Sequence, residues 1–130
     1  MNPFIHELLQ KSRLISKEVN EVLKEHNLFS AQWSVLYCIH QHKEMTLTEI
    51  WKYLNVEAPT ITRTVNRLIK LGWLTTVEGK DRREKIVRLS ESALSTFPTI
   101  KTSVIEFEKS FLADITQEEQ VLLRALLSKI

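Results

Sequence analysis

The sequence of 130 residues contains little cysteine, glycine or proline, with one, two and three residues respectively. The single cysteine, Cys38, excludes an intrachain disulfide framework and is typical of proteins from a reducing compartment. No apolar run approaches the ~20 residues that a membrane-spanning helix needs. Residues 2–10 show neither the basic segment nor the long apolar segment of a signal sequence. The length leaves room for one domain, 1–130, and these absences predict that the protein is located in the cytoplasm.

Motifs of enzymatic chemistry are also missing. The sequence contains no glycine-rich phosphate loop and no HExxH zinc motif, and a single cysteine cannot form a CxxC pair. Cys38 and His42 are four residues apart on one predicted helix, a spacing that could place two metal ligands on one face. Because no third ligand is evident, we interpret Cys38 as a small core residue and expect no catalytic site, metal site or cofactor. Oxidation sensing by Cys38 stays an alternative, although no second cysteine in the chain could resolve it.

Positive charge is concentrated in residues 61–90, which contain eight basic side chains and only three acidic ones, whereas the whole chain has a net charge of +2. This asymmetry is expected of a surface that binds a polyanion, and DNA is the obvious candidate. The basic residues of this segment are Arg63, Arg67, Lys70, Lys80, Arg82, Arg83, Lys85 and Arg88.

Two consecutive helices are predicted upstream of and within this segment. Thr46 and Glu49 have the spacing of a capping box that opens a helix ending at Leu54. After a short turn, Pro59 suits the first turn of a second helix, and Gly72 suits its end. The second helix is predicted to bury Ile61, Val65 and Leu68. Its opposite face is predicted to carry Thr60, Arg63, Thr64 and Arg67, with Thr62, Asn66 and Lys70 beside them.

Two short β-branched segments, 74–77 and 86–89, follow the helices and are predicted to form a hairpin. Its connection contains Gly79 and the charged residues Lys80, Asp81, Arg82 and Arg83, so the tip of the hairpin is basic. Helix, short turn, polar-faced helix and basic hairpin together describe a winged helix-turn-helix. The predicted fold class is therefore mainly α with a small β-hairpin wing.

These segments, in this order, resemble the MarR family of bacterial transcription regulators. The similarity is carried by FSAQWSVL at 29–36, LTEI at 47–50, PTITRTVNRL at 59–68, LGWL at 71–74, DRR at 81–83 and VRLS at 87–90. The DRR of the wing followed by Leu89 and Ser90 is the most specific part. The chain departs from the family pattern at Ala93, where glycine is frequent, and at Glu57, where a serine-type cap is frequent.

The resemblance implies a transcriptional repressor that binds a palindromic operator as a homodimer and is released by a small-molecule or redox signal. The helix that opens at Ala58 would enter the major groove, and one wing arginine would enter the minor groove while Asp81 braces the wing. The expected DNA-contacting residues are Thr60, Thr62, Arg63, Thr64, Asn66, Arg67, Lys80, Arg82 and Arg83. One alternative is a winged-helix module that docks an acidic protein without reading bases, and another is a metal-responsive regulator.

Both ends of the chain carry apolar residues that the winged core, about 28–90, does not need. We expect the helical regions at about 3–26 and 91–130 to form a two-fold dimer interface. The candidate interface residues are Leu8, Phe111, Leu122 and Leu126. The alternative is that these helices fold back on their own core. Pro98 is expected to kink or divide the helix that contains it.

A crevice between the terminal helices and the winged core is the expected effector site, because a ligand there would change the spacing of the two DNA-binding surfaces. Trp33, Tyr37 and Trp51 could hold a flat apolar ligand, with His40 or Arg13 as the polar partner. The alternative is that these aromatic residues belong to the ordinary core.

Overall fold

The computed structural model describes residues 1–79 and 84–130, which form α-helices and a small three-stranded antiparallel sheet. The mainly helical class with a β wing is thereby confirmed. The helices are α1 Pro3–Leu23, α2 Ser30–His42, α3 Leu47–Leu54, α4 Ala58–Lys70, α5 Glu91–Phe111 and α6 Gln117–Leu127, and a 3-10 turn covers Lys24–His26. The strands are β1 Met45–Thr46, β2 Leu74–Glu78 and β3 Lys85–Leu89.

Side chains at the helix starts explain why several helices begin where they do. The predicted capping box of α3 is confirmed, since Thr46 Oγ1 accepts from the Glu49 N–H at 3.2 Å and Glu49 Oε1 accepts from the Thr46 N–H at 3.0 Å. The same reciprocal pair opens α6 with Thr116 and Glu119. In α3 the hydrogen bond from the Thr46 N–H lowers the pKa of the Glu49 carboxyl, because it stabilises the charged form, and the Thr46 side chain lowers it further. Each cap satisfies N–H groups that the helix itself cannot.

The predicted hairpin is confirmed and is extended by a strand that the sequence did not reveal. Strands β2 and β3 pair antiparallel from Leu74 opposite Leu89 to Glu78 opposite Lys85. The additional strand, β1, pairs with the other edge of β3, so the order in the sheet is β1-β3-β2. This pairing fixes the base of the wing to the start of α3.

The core lies where α2, α3, α4, the sheet and the first half of α5 meet. Its most deeply buried members include Leu36, Ile39, Ile50, Leu68, Val87 and Phe97, all at most 2% exposed. Cys38 is 1% exposed within this core, which confirms its interpretation as a core residue.

Helix α5 runs unbroken through Pro98, so the expectation that this proline divides the helix was wrong. Proline removes one hydrogen bond to the carbonyl four residues back, and that residue, Leu94, lies on the exposed side of the helix. The opposite side is held by buried residues on both sides of the proline, namely Ala93, Phe97, Ile100 and Val104. Packing of this face outweighs the loss of one hydrogen bond.

The terminal helices leave large apolar side chains exposed in the single chain. In α6 these are Val121, Leu122, Leu123, Leu126 and Leu127, each between 47% and 59% exposed. In the first half of α1, Phe4, Ile5, Leu8 and Leu9 are between 37% and 54% exposed. Within the described residues, none of the helices has the length and apolar character required to cross a membrane.

Candidate nucleic-acid interface

The turn between α3 and α4 sets the angle at which α4 leaves the core. Asn55 ends α3 in the left-handed conformation, with φ of 55°, a backbone state that asparagine tolerates better than most residues. The Val56 N–H then donates to the Trp51 carbonyl at 3.1 Å. An asparagine directly after the last apolar residue of a predicted helix is a signal from which this turn could have been predicted.

The buried face of α4 agrees with the prediction. Ile61, Val65 and Leu68 are at most 2% exposed. At the far end Gly72 has a φ of +86°, which glycine adopts without a steric penalty, and the Ser90 hydroxyl donates to its carbonyl at 2.7 Å. Because Ser90 Oγ also accepts from the Ala93 N–H at 3.1 Å, one side chain joins the end of α4 to the start of α5.

The exposed side of α4 forms one continuous stripe, which we call the reading stripe. Its members recur at intervals of three and four, and they are Pro59, Thr62, Arg63, Asn66, Arg67 and Lys70. The predicted face was centred differently, because Thr60 and Thr64 are half-buried while Thr62 and Asn66 are exposed. Positions 60 and 64 lie in the helical row next to the core positions, so the surrounding core partly covers them.

Hydrogen bonds within α4 determine what its polar side chains offer to a partner. Thr62 Oγ1 donates to the Ala58 carbonyl and Thr64 Oγ1 to the Thr60 carbonyl, both at 3.0 Å. The Arg63 guanidinium makes only a long contact of 3.5 Å with Thr60 Oγ1. No described carboxylate lies within 4 Å of Arg63 or Arg67. The two arginines therefore present their charge to the outside of the helix.

The wing contributes a charge pair that sequence reasoning missed. Glu44 Oε2 accepts from Arg88 Nε at 2.9 Å and lies 2.7 Å from the second guanidinium nitrogen. The pair stands one residue beyond the Met45–Val87 pairing, so it could be anticipated only once β1 was known. Arg88 is consequently neutralised by a partner. The predicted wing contacts Lys80, Arg82 and Arg83, and the brace Asp81, lie outside the described residues.

The three aromatic residues of the predicted effector site have different surroundings in the structure. The Trp33 ring lies 6.1 Å from Tyr37 and stacks on Phe97 at 5.0 Å. The His40 ring also stacks on Phe97, with ring centroids 3.9 Å apart. Its Nδ1 is buried without a hydrogen-bond partner among the described residues. Trp51 instead lines a cavity of about 530 Å³ beside the helix-turn-helix turn, together with Lys52 and residues 55–59. Phe97, which sequence reasoning did not select, links α5 to this aromatic group.

Cys38 and His42 are not arranged as a pair of metal ligands. Cys38 Sγ donates to the Val35 carbonyl at 3.2 Å. His42 Nδ1 lies 2.8 Å from the Cys38 carbonyl oxygen, not from its sulfur. Burial raises the pKa of the Cys38 thiol to about 11, so the reactive thiolate is scarce near neutral pH. In residues 1–79 and 84–130, no three metal-ligating side chains converge.

The candidate dimer residues lie on the terminal helices. Leu8, Leu122 and Leu126 are 37%, 59% and 49% exposed. Phe111 is half-buried and packs against Phe107, with ring centroids 5.4 Å apart. All four therefore remain at least partly accessible in the single chain.

Comparison with known proteins places the chain among bacterial regulators. The model of the MarR family matches residues 28–85. The HTH-type transcriptional regulator YwoH of Bacillus subtilis is 47% identical over 116 residues, which cover 89% of this chain and 85% of that protein. An HTH-type transcriptional regulator of Bacillus cereus is 30% identical over 112 residues, which cover 85% of this chain and 75% of that protein. The fold matches that of a MarR variant from Escherichia coli complexed with operator DNA, with a TM-score of 0.89 and 24% sequence identity. The match covers 98% of this chain and 93% of that one.

Proposed function

Because the chain belongs to the MarR family of helix-turn-helix transcription regulators, we propose that it represses transcription as a homodimer bound to a palindromic operator. Regulators of this family are DNA-binding proteins without enzymatic activity. Because it would act on chromosomal DNA, the proposed location is the cytoplasm. A small-molecule or redox signal releases it from the operator.

The reading stripe of α4 is the observation that carries this proposal. The stripe begins with short side chains and ends with cations, and its arginines have no described carboxylate partner within 4 Å. The first turns of a recognition helix meet base edges in the major groove, whereas its later cations can contact phosphates. The residues that we propose to touch DNA are Thr60, Thr62, Arg63, Thr64, Asn66 and Arg67, together with Lys80, Arg82 and Arg83 of the wing.

The terminal helices supply the second half of the proposal. Exposed leucines on α6 and α1 leave an apolar surface that a second copy of the chain would cover. We infer that residues 28–90 form the DNA-binding core and that 3–26 and 91–130 form the dimerisation region of one domain. A two-fold dimer presents two copies of α4, which explains why the operator should be a palindrome.

Selection of bound duplexes from a random DNA pool tests this function. We expect the full-length protein to enrich a palindrome whose half-sites lie about 10 base pairs apart, centre to centre. Its affinity for that site should exceed its affinity for random DNA by roughly 10³ or more at physiological salt. Retention that is abolished by salt and shows no sequence preference would instead indicate a module that docks an acidic protein.

We infer that the releasing signal acts where α2 meets α5. Trp33 and Tyr37 lie together there, and the buried Nδ1 of His40 could accept or donate a hydrogen bond to a ligand. Salicylate is the probe, and it should weaken operator binding and quench tryptophan emission over the same concentration range. Release by oxidant or by metal ions, with salicylate inert, would move the sensing role to Cys38 and His42.

A further inference from the structure

Thr62 differs in its chemistry from the other side chains of the reading stripe. It is exposed, and its hydroxyl donates to the Ala58 carbonyl at 3.0 Å. The proton of this hydroxyl is therefore engaged within the helix, a bond that threonine commonly forms with the carbonyl four residues back. What Thr62 can present outward is its methyl group and a hydroxyl that only accepts.

A methyl group on the reading stripe has one apolar counterpart in the major groove. Thymine carries a 5-methyl group there, whereas the other bases present hydrogen-bond donors and acceptors. Thr62 lies in the second turn of α4, in the part of a recognition helix that meets base edges. We propose that Thr62 recognises thymine through contact between the two methyl groups. This inference rests on the DNA-binding function proposed above.

The neighbours of Thr62 make this assignment specific. Arg63 and Asn66 carry the donors and acceptors suited to guanine and adenine, so polar reading is already provided beside Thr62. Thr64 forms the same internal bond at 3.0 Å, but it is half-buried and lies outside the stripe. Of the three threonines of α4, only Thr62 is exposed and belongs to the reading stripe.

The DNA arm of the test replaces thymine by deoxyuridine, which removes only the 5-methyl group. The probe is the duplex that the protein enriches from a random pool, substituted at one symmetric pair of thymines at a time. Burial of one methyl changes an equilibrium about fourfold, so a pair of lost contacts should raise Kd roughly fifteenfold. We expect this rise at one thymine position in each half-site and little change at the others.

The protein arm separates the methyl from the hydroxyl. Thr62→Ser keeps the hydroxyl, and in this variant the sensitivity to deoxyuridine should disappear because the protein methyl is gone. Thr62→Val keeps a methyl at that place and loses the hydroxyl, so it should stay sensitive to deoxyuridine and lose less affinity than Thr62→Ser. Thr102 on α5 provides matched controls, since its hydroxyl bonds to the Pro98 carbonyl at 2.9 Å and it is exposed. Thr102→Ser and Thr102→Val should both behave as wild type.

Three results would overturn the inference while leaving sequence-specific binding intact. Deoxyuridine could be tolerated at every position, the sensitivity could persist in Thr62→Ser, or Thr62→Val could lose as much affinity as Thr62→Ser. The last result would assign recognition to the hydroxyl. If no duplex were enriched from the pool, the proposed function would fail as well, so the two failures are distinguishable.

Discussion

Arg63 and Arg67 lie one turn apart on the reading stripe, yet their positions suit different parts of DNA. Arg63 projects from the second turn, where a bidentate contact with guanine is worth roughly 1–3 kcal/mol of discrimination. We predict that Arg63→Ala lowers affinity for the operator far more than affinity for random DNA. Arg67→Ala should weaken binding to the operator and to random DNA alike. It should also lower the salt dependence of binding by about the release of one counterion. Fluorescence anisotropy over a salt series measures these quantities, and equal losses on both DNAs for Arg63→Ala would contradict base reading.

Cys38 is a residue whose pH dependence can be predicted from its burial. The pKa of its thiol is raised to about 11 in the folded chain, mainly because burial penalises the thiolate. Below the ordinary thiol pKa both folded and unfolded chains hold the proton. At higher pH the unfolded chain ionises first, so stability falls by about 2 kcal/mol as pH approaches 11.

Comparison with Cys38→Ala isolates this effect, because all other titrating groups cancel in the difference. Urea unfolding at pH 8 and at pH 10.5 should show the wild type losing more stability than the variant. The folded thiol should also react slowly with a disulfide reagent at pH 8. Reaction at the rate of an exposed cysteine would restore oxidation sensing as an explanation of the releasing signal.

Among the elements, the wing is expected to contain two arginines with different roles, Arg82 in DNA binding and Arg83 in stabilising the hairpin. The resemblance to the family implies that one of them would enter the minor groove and that the other would pair with Asp81 through a charge-assisted hydrogen bond. We predict that Arg82→Ala leaves the melting temperature unchanged and abolishes tight operator binding. Arg83→Ala should instead lower the melting temperature. Thermal unfolding and anisotropy on the same samples measure both effects. A stability loss confined to Arg82→Ala would reverse the two assignments.

Elements with strong local signals could be predicted from the sequence. The capping box at Thr46 and the regular apolar spacing of Ile61, Val65 and Leu68 gave α3 and α4 correctly, because these signals involve neighbouring residues. Strand β1 could not be predicted in this way, since its two residues gain their pairing only from β3, about 40 residues later. The expected division of α5 at Pro98 failed for the opposite reason, because the local rule was outweighed by buried packing along the helix.

The sequence predicted that one face of α4 is polar, but it did not predict which residues lie at the centre of that face. Helical periodicity identified which side of α4 is polar, but neighbouring rows of a helix differ by only a small rotation. Burial in the folded chain was needed to move Thr60 out of the centre of the exposed stripe and Thr62 into it. Likewise, the pairing of Glu44 with Arg88 depends on strand register, which no spacing within the sequence specifies.

At the scale of the whole molecule, both ends of the chain have helices whose apolar surface is largely uncovered. The end of α1 packs into the single chain, where Val19 is half-buried and Leu23 is fully buried. Its first half and nearly all of α6 remain uncovered, although both are regular helices. An amphipathic helix gains most of its stability from packing of its apolar face. A surface of this kind at both termini is therefore best accounted for by pairing with a second copy.

Leu126 and Gln117 allow a direct test of that pairing, because they lie on opposite faces of α6. Leu126→Glu would place an unpaired charge in the apolar interface, at a cost of several kcal/mol, and the variant should become monomeric or aggregate and lose the operator. Gln117→Glu adds the same charge on the polar face and should remain dimeric with full affinity. Sedimentation equilibrium and operator anisotropy distinguish these outcomes. A wild-type protein that sediments as a monomer at micromolar concentration would refute the dimer, and binding to a single half-site would then have to account for operator recognition.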